Sequence, residues 1–158
     1  MIKNIIKLSI ISFFWILIAP TIQAITLTIT PTTQNWSAVI PAIVGNDLAD
    51  PTRNITMSVG GCVAGETWRI SAHKSNINNP PEYQTVSVRR TGTGTGTGSA
   101  PSGGDSYLVL DTVDQQFFTG ELNRSDIPIN WIISKLSVTI EPSFTNYSMQ
   151  IVFTVTSI

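Results

Sequence analysis

An all-β fold, one domain of two antiparallel sheets packed face to face, is predicted for this chain of 158 residues. Three observations predict it. Apolar and polar residues alternate with a period of two in run after run, the pattern of half-buried strands. Stretches rich in Asn, Asp, Gly and Pro separate those runs. Strand-favouring Thr and Val are plentiful, whereas Ala, Leu, Lys and Glu are too sparse to sustain helices.

The elements follow in order. "ITLTIT" sets Ile25, Leu27 and Ile29 on one face and Thr26, Thr28 and Thr30 on the other. "NITMSVG" aligns Ile55, Met57 and Val59, and "ETWRISAH" aligns Trp68, Ile70 and Ala72. "QTVSVRR" pairs Val86 with Val88, and "SYLVL" is a short apolar run. "KLSVTI" aligns Leu136, Val138 and Ile140. The cleanest alternation is "NYSMQIVFTVTSI", with Tyr147, Met149, Ile151, Phe153 and Val155 on one side. "NDLADPTRN", "SNINNPPEY" and "TGELNRSDIP" read as turns. About eight strands in one domain are the pattern of an immunoglobulin-like β-sandwich, with a closed barrel as the alternative.

Between Arg90 and Ser106 runs "TGTGTGTGSAPSGGD". Each side of it holds about four strands, too few to close a sandwich of about seven alone. It is therefore expected to be a flexible Thr/Gly/Ser-rich loop at 91–105 within one domain, its glycines keeping it from packing. Shortening it is expected to leave folding intact. It lacks the Lys-Ser/Thr ending and the following helix of a phosphate loop.

The chain opens "MIKNIIKLSIISFFWILIAPTIQA". Lys3 and Lys7, an apolar run from Leu8 to Ala19, Pro20 and then Ala24 make the order of a secretory signal peptide. The run is shorter than the roughly 20 residues of a bilayer-spanning helix. Residues 1–24 are expected to be removed on export, leaving 25–158 as the β domain with no membrane span. Without Lys3 and Lys7, seven of the nine basic residues face ten acidic ones. That mild negative balance, with no basic stripe, excludes a nucleic-acid surface.

Cys62 is the single cysteine. No internal disulfide forms, so Cys62 is either a small core residue or an intermolecular thiol. His73 is the single histidine, and no Gly-x-Ser-x-Gly elbow accompanies it. Asp47 with Asp50, and Asp111 with Asp114, are read as turn residues rather than parts of a calcium loop. The expectation is a protein that is not an enzyme, with no cofactor and no metal site.

Trp36 and Trp131 lie near strand starts beside Asn, as candidates to stack on sugar rings, with core packing as the alternative. Asn35, Asn54, Asn123 and Asn146 begin Asn-x-Ser/Thr triplets, glycan acceptors in a host that glycosylates them. The threonine rows of "TLTIT" and "TVT" are read as solvated strand faces rather than as ordered hydroxyl arrays.

Two stretches carry a family resemblance. Trp68-x-Ile70, and Tyr147 followed at motif spacing by Ile151, Phe153 and Val155, resemble the motifs of WxL-type cell-surface proteins of Gram-positive bacteria. Ile151, Phe153 and Val155 stand where that family has Leu, Trp and Leu. The resemblance implies an exported β-rich protein associated with the cell wall. Secretion and a sandwich architecture together predict a non-enzymatic secreted or cell-surface protein: a fimbrial-like, coat or wall-associated subunit. The alternative is a secreted module binding carbohydrate or cell wall. Its partners are then an envelope component or copies of itself. "ITLTIT" either pairs within its own sheet or adds to a neighbour's edge.

Overall fold

The computed structural model describes residues 24–34, 47–48, 52–78, 85–134, 136–137 and 148–158. Within them lie eleven strands and no helix: β1 Thr26–Thr30, β2 Asp47–Leu48, β3 Arg53–Gly60, β4 Thr67–Asn78, β5 Thr85–Arg90, β6 Thr95–Gly96, β7 Leu108–Val109, β8 Gln115–Glu121, β9 Arg124–Ser134, β10 Leu136–Ser137 and β11 Ser148–Ser157. One sheet runs β1-β3-β9-β5-β7, with β6 also on β9. A second runs β11-β4-β8, and β2 pairs with β10 alone. Every pairing is antiparallel. Residues 1–23, most of the segment expected to be a signal peptide, lie outside the described residues.

The two larger sheets share one core. Ile55, Met57 and Val59 of β3, Val86 and Val88 of β5, and Ile127, Ile129 and Ile133 of β9 supply one side. Trp68, Ile70 and Ala72 of β4, with Phe117 and Phe118 of β8, supply the other. Period-two alternation puts each set on one face of its strand. Trp68 packs edge-on to Phe118, ring centroids 5.9 Å apart, and donates its indole N–H to the Leu122 carbonyl at 2.9 Å. Its register partner Gly120 leaves room for the indole, which a Cβ there would overlap.

The connection from β8 to β9, which carries the chain from the three-stranded to the six-stranded sheet, falls where turn residues were expected. "TGELNRSDIP" does hold the β8–β9 turn, with Leu122 at φ +54°. Beyond it, β9 starts at Arg124 and passes through Pro128 between β3 and β5. A bulge opens where Met57 and Val59 pair with Ile127 and Arg124, and Asp126 takes φ +55° there. Pro128 has no N–H to give, but its carbonyl accepts the Thr91 N–H at 2.9 Å. Of "KLSVTI", Leu136 and Ser137 form β10, and the remainder lies outside the described residues.

The expectation that the Thr-Gly tract packs on nothing is corrected. The tract prolongs β5 along β9: Thr91 reaches Pro128, and then Thr95 and Gly96 pair with Ser125 and Arg124. Parity explains the repeat. Gly92, Gly94 and Gly96 face β9, Gly98 faces Glu121 of β8, and the threonines point to solvent. A Cβ on Gly92 would sit 2.8 Å from the Pro128 ring, and one on Gly94 or Gly96 would overlap the Ser125 or Asn123 carbonyl. Thr91, Thr93, Thr95 and Thr97 are exposed. Glycine here permits close backbone approach rather than freedom.

Two buried arginines hold the tract. Arg124, 5 % exposed, donates to the carbonyls of Thr93 (3.1 Å), Gly98 (3.1 Å) and Ser99 (3.0 Å). Arg90, 6 % exposed, donates to the carbonyls of Gly103 and Gly92, both at 2.9 Å, and to the Asp105 carboxylate. Past them Ser102 exchanges two backbone hydrogen bonds with Thr119 of β8, in the other sheet. The tract thus crosses from one sheet to the other across one end of the core.

Candidate functional site

The outer face of the six-stranded sheet carries a row of polar side chains across several strands. Ile25, just before β1, and Leu27 and Ile29 within it pack towards the core, so Thr26, Thr28 and Thr30 face out. Register then fixes their neighbours: Thr28 beside Ser58 and Thr30 beside Thr56. Asn54 of β3 lies opposite Asn130 of β9, and Asn130 lies opposite Arg89 of β5. Directly opposed residues of an antiparallel pair share a face, with Cβ atoms about 5 Å apart. The Arg89 guanidinium stands 4.7 Å from the Tyr107 ring centroid. A row of carboxamide, carboxamide, guanidinium and phenol therefore crosses the sheet, bordered by hydroxyls. Thr91 and Thr95 extend it along the tract.

The residues singled out in the sequence fall in several places. Trp131 is 8 % exposed, donates its indole N–H to Gln34 at 2.9 Å, and has the Arg53 guanidinium 5.5 Å from a ring centroid. Burial makes it a core residue, not an open stacking surface, because from Ile127 onwards β9 turns its odd-numbered side chains inward. Trp36, Asn35 and Asn146 lie outside the described residues. Asn54 is exposed on the outer face. Asn123 is exposed too, but its side-chain oxygen accepts the Cys62 N–H at 2.9 Å. Cys62 is a half-buried free thiol. Burial and the nearby Glu66 carboxylate push its pKa above the ordinary thiol value.

His73 has a partner that no local sequence signal gave. Its Nδ1 lies 2.7 Å from the Asp114 carboxylate, brought there because Ala72 of β4 pairs with Gln115 of β8. That contact orients the ring and leaves Nε2 facing elsewhere. Ser71 shares the strand face, but no hydrogen bond joins it to His73 among the described residues. Asp111, the other acid of "DTVD", instead accepts the N–H of Thr112 at 2.7 Å. The described residues contain no group of three or more His, Cys, Asp or Glu placed to hold a metal ion. They contain no helix long and apolar enough to cross a membrane.

Glu121 belongs to the tract's anchorage. Its carboxylate accepts the Ser99 N–H, which with the Arg124 charge holds its pKa below the ordinary glutamate value. This anchorage was invisible locally, since Arg124 and Glu121 sit some 25 residues beyond the carbonyls and amide they bind.

The two stretches behind the WxL-type resemblance lie on neighbouring strands. Val155 of β11 pairs with Ile70 of β4, and Ser157 pairs with Trp68. Tyr147 lies outside the described residues. Trp68 and Ile70 are fully buried, while Ile151, Phe153 and Val155 pack against the same core. Neither a protein-family model nor a curated protein matches this chain.

Proposed function

We propose that this chain is a non-enzymatic, exported cell-surface protein of adhesive type, an immunoglobulin-like β-sandwich that binds an envelope component through its six-stranded sheet. The observation that carries this reading is the outer face of that sheet. Threonine, serine and asparagine side chains line β1 and β3 on that face, and Asn130 of β9 and Arg89 of β5 continue the row in register beyond the β3–β9 bulge. Such a surface offers paired donors and acceptors to a polyhydroxylated partner at low cost in side-chain ordering. The basic-apolar-small order of the first 24 residues supports export, and the WxL-type spacing supports association with a cell wall.

The reading is tested by retention of the purified protein on cell-wall preparations and on a panel of glycans. Thr28→Lys and Asn54→Lys, both on the proposed face, are expected to abolish retention. Thr154→Lys, exposed on the other sheet, is expected to leave it unchanged. Equal retention of all three variants overturns the assignment of the face. Absence of the wild-type protein from the surface and medium fractions overturns export.

A further inference from the structure

Adjacent arginines have opposite fates in β5. Arg90 points into the core, and its donors are taken up by two carbonyls and the Asp105 carboxylate. Arg89 points out, and its guanidinium makes no hydrogen bond to any described residue. It is nevertheless held in place, half-buried against the Tyr107 ring. Asp105, the acid nearest Tyr107 in sequence, is engaged by Arg90, and Glu82, seven residues before Arg89, lies outside the described residues. Asp126, at the β9 bulge, is four residues from Asn130 along the strand, or about 13 Å. The result is a pre-oriented cation with no carboxylate partner among the described residues, flanked by amides and hydroxyls and by Pro128 and Ile132 of β9.

We propose that Arg89 forms, with Asn130, Asn54 and Tyr107, a subsite for the carboxylate of an acidic oligosaccharide. This inference rests on the adhesive reading of the same face and names its ligand class. A guanidinium offers two parallel N–H donors that match the two oxygens of a carboxylate. Stacking on Tyr107 fixes the plane of that fork before the ligand arrives, which lowers the ordering cost of binding. Asn130 and Asn54 each bring a donor and an acceptor, the pair that vicinal sugar hydroxyls need. No hydrogen bond to another described residue occupies either side chain. Successive strands stand about 4.8 Å apart, so Asn54 to Arg89 spans ~10 Å, about two pyranose rings. One cation without lysine support suits a singly charged carboxylate better than a phosphate.

The test is titration of the purified protein with digalacturonate and its dimethyl ester, and in a second arm with sialyllactose and lactose. The acid is expected to bind about tenfold or more tightly than its neutral counterpart in at least one arm, the worth of a charge-assisted pair. The arm that responds identifies the sugar acid. Arg89→Gln is expected to erase that preference, Arg89→Lys to keep part of it, and Tyr107→Ala to weaken it. Amide shift changes in the wild-type protein are expected to centre on Arg89, Asn130 and Tyr107, which tests the site even where a variant folds poorly. Equal affinity for acid and neutral forms, a preference that survives in Arg89→Gln, or shifts confined to other strands overturns the subsite. Retention on cell walls with no acid preference leaves the adhesive reading standing and this inference refuted. Loss of both refutes the two together.

Discussion

At the scale of single residues, parity decides what the Thr-Gly tract does. Gly96→Val pushes a side chain into the Asn123 carbonyl and the Arg124 backbone. It is expected to cost about 1–3 kcal/mol of stability by denaturant unfolding, as overpacking does. Thr95→Val and Thr97→Val project into solvent and are expected to stay within about 0.5 kcal/mol of wild type. Glu121 sets a pH dependence. Its pKa is lower in the folded protein than in the unfolded chain, so its contribution is fully present above the ordinary glutamate range. That contribution is lost as the pH falls through the folded value. Unfolding curves from pH 7 down to pH 3 are expected to show a fall in stability that Glu121→Gln reduces. Cys62 moves the other way. Its raised pKa keeps the thiol protonated at neutral pH, so alkylation by iodoacetamide is expected to be slower than for a free cysteine and to accelerate above about pH 9.

At the scale of elements, β9 organises the molecule. It lies between β3 and β5, receives β6, and carries Arg124 into the core. Arg124→Met fills similar volume but leaves three carbonyls without their donor. The expected cost is about 3 kcal/mol, with hydrogen exchange rising at Ser99 and along β6. Deleting residues 92–99 removes the same partners from the other side. It is expected to lower the melting temperature by several degrees, contrary to what a non-packing loop predicts. The strand itself was hard to read from sequence because Pro128 and the run from Asn123 to Asp126 carry turn chemistry. A bulge beside the proline reconciles them with a central strand. β8 was missed for a related reason: "QQFFTGE" presents Phe117 and Phe118 side by side and breaks the alternation. Both are buried all the same, and Ile70/Ser71 against Phe118/Gln116 marks a second register shift.

At the scale of the whole molecule, β1 closes one edge of the larger sheet. All five of its residues pair with β3, from Thr26↔Gly60 to Thr30↔Thr56. The "ITLTIT" segment thus pairs along one side with β3 of its own chain, and its other side is an edge of the sheet. Deleting residues 25–30 strips Ile25, Leu27 and Ile29 from the core and bares the β3 edge. The expected outcome in gel filtration is self-association of the truncated protein against a monomeric wild type, with a stability loss of about 3 kcal/mol. A synthetic 25–30 peptide is expected to restore the monomer. Both larger sheets contain paired strands from before and after the Thr-Gly tract, so the tract runs inside one structure that spans them.

The sequence by itself determined the strand class, the inward faces of β1, β3, β4, β5 and β11, and the burial of Trp68. Those follow from period two, which is local. It also determined that the tract's glycines alternate, though not why. Tertiary structure decided the rest, because the deciding contacts join residues far apart in the chain. It made Trp131 a core residue, gave His73 its Asp114, and turned the repeat into an edge along β9 gripped by Arg90 and Arg124. It also set Asn54, Asn130, Arg89 and Tyr107 in one row. A residue's parity on its own strand is written in the sequence, but which strand lies beside it is settled when the core closes.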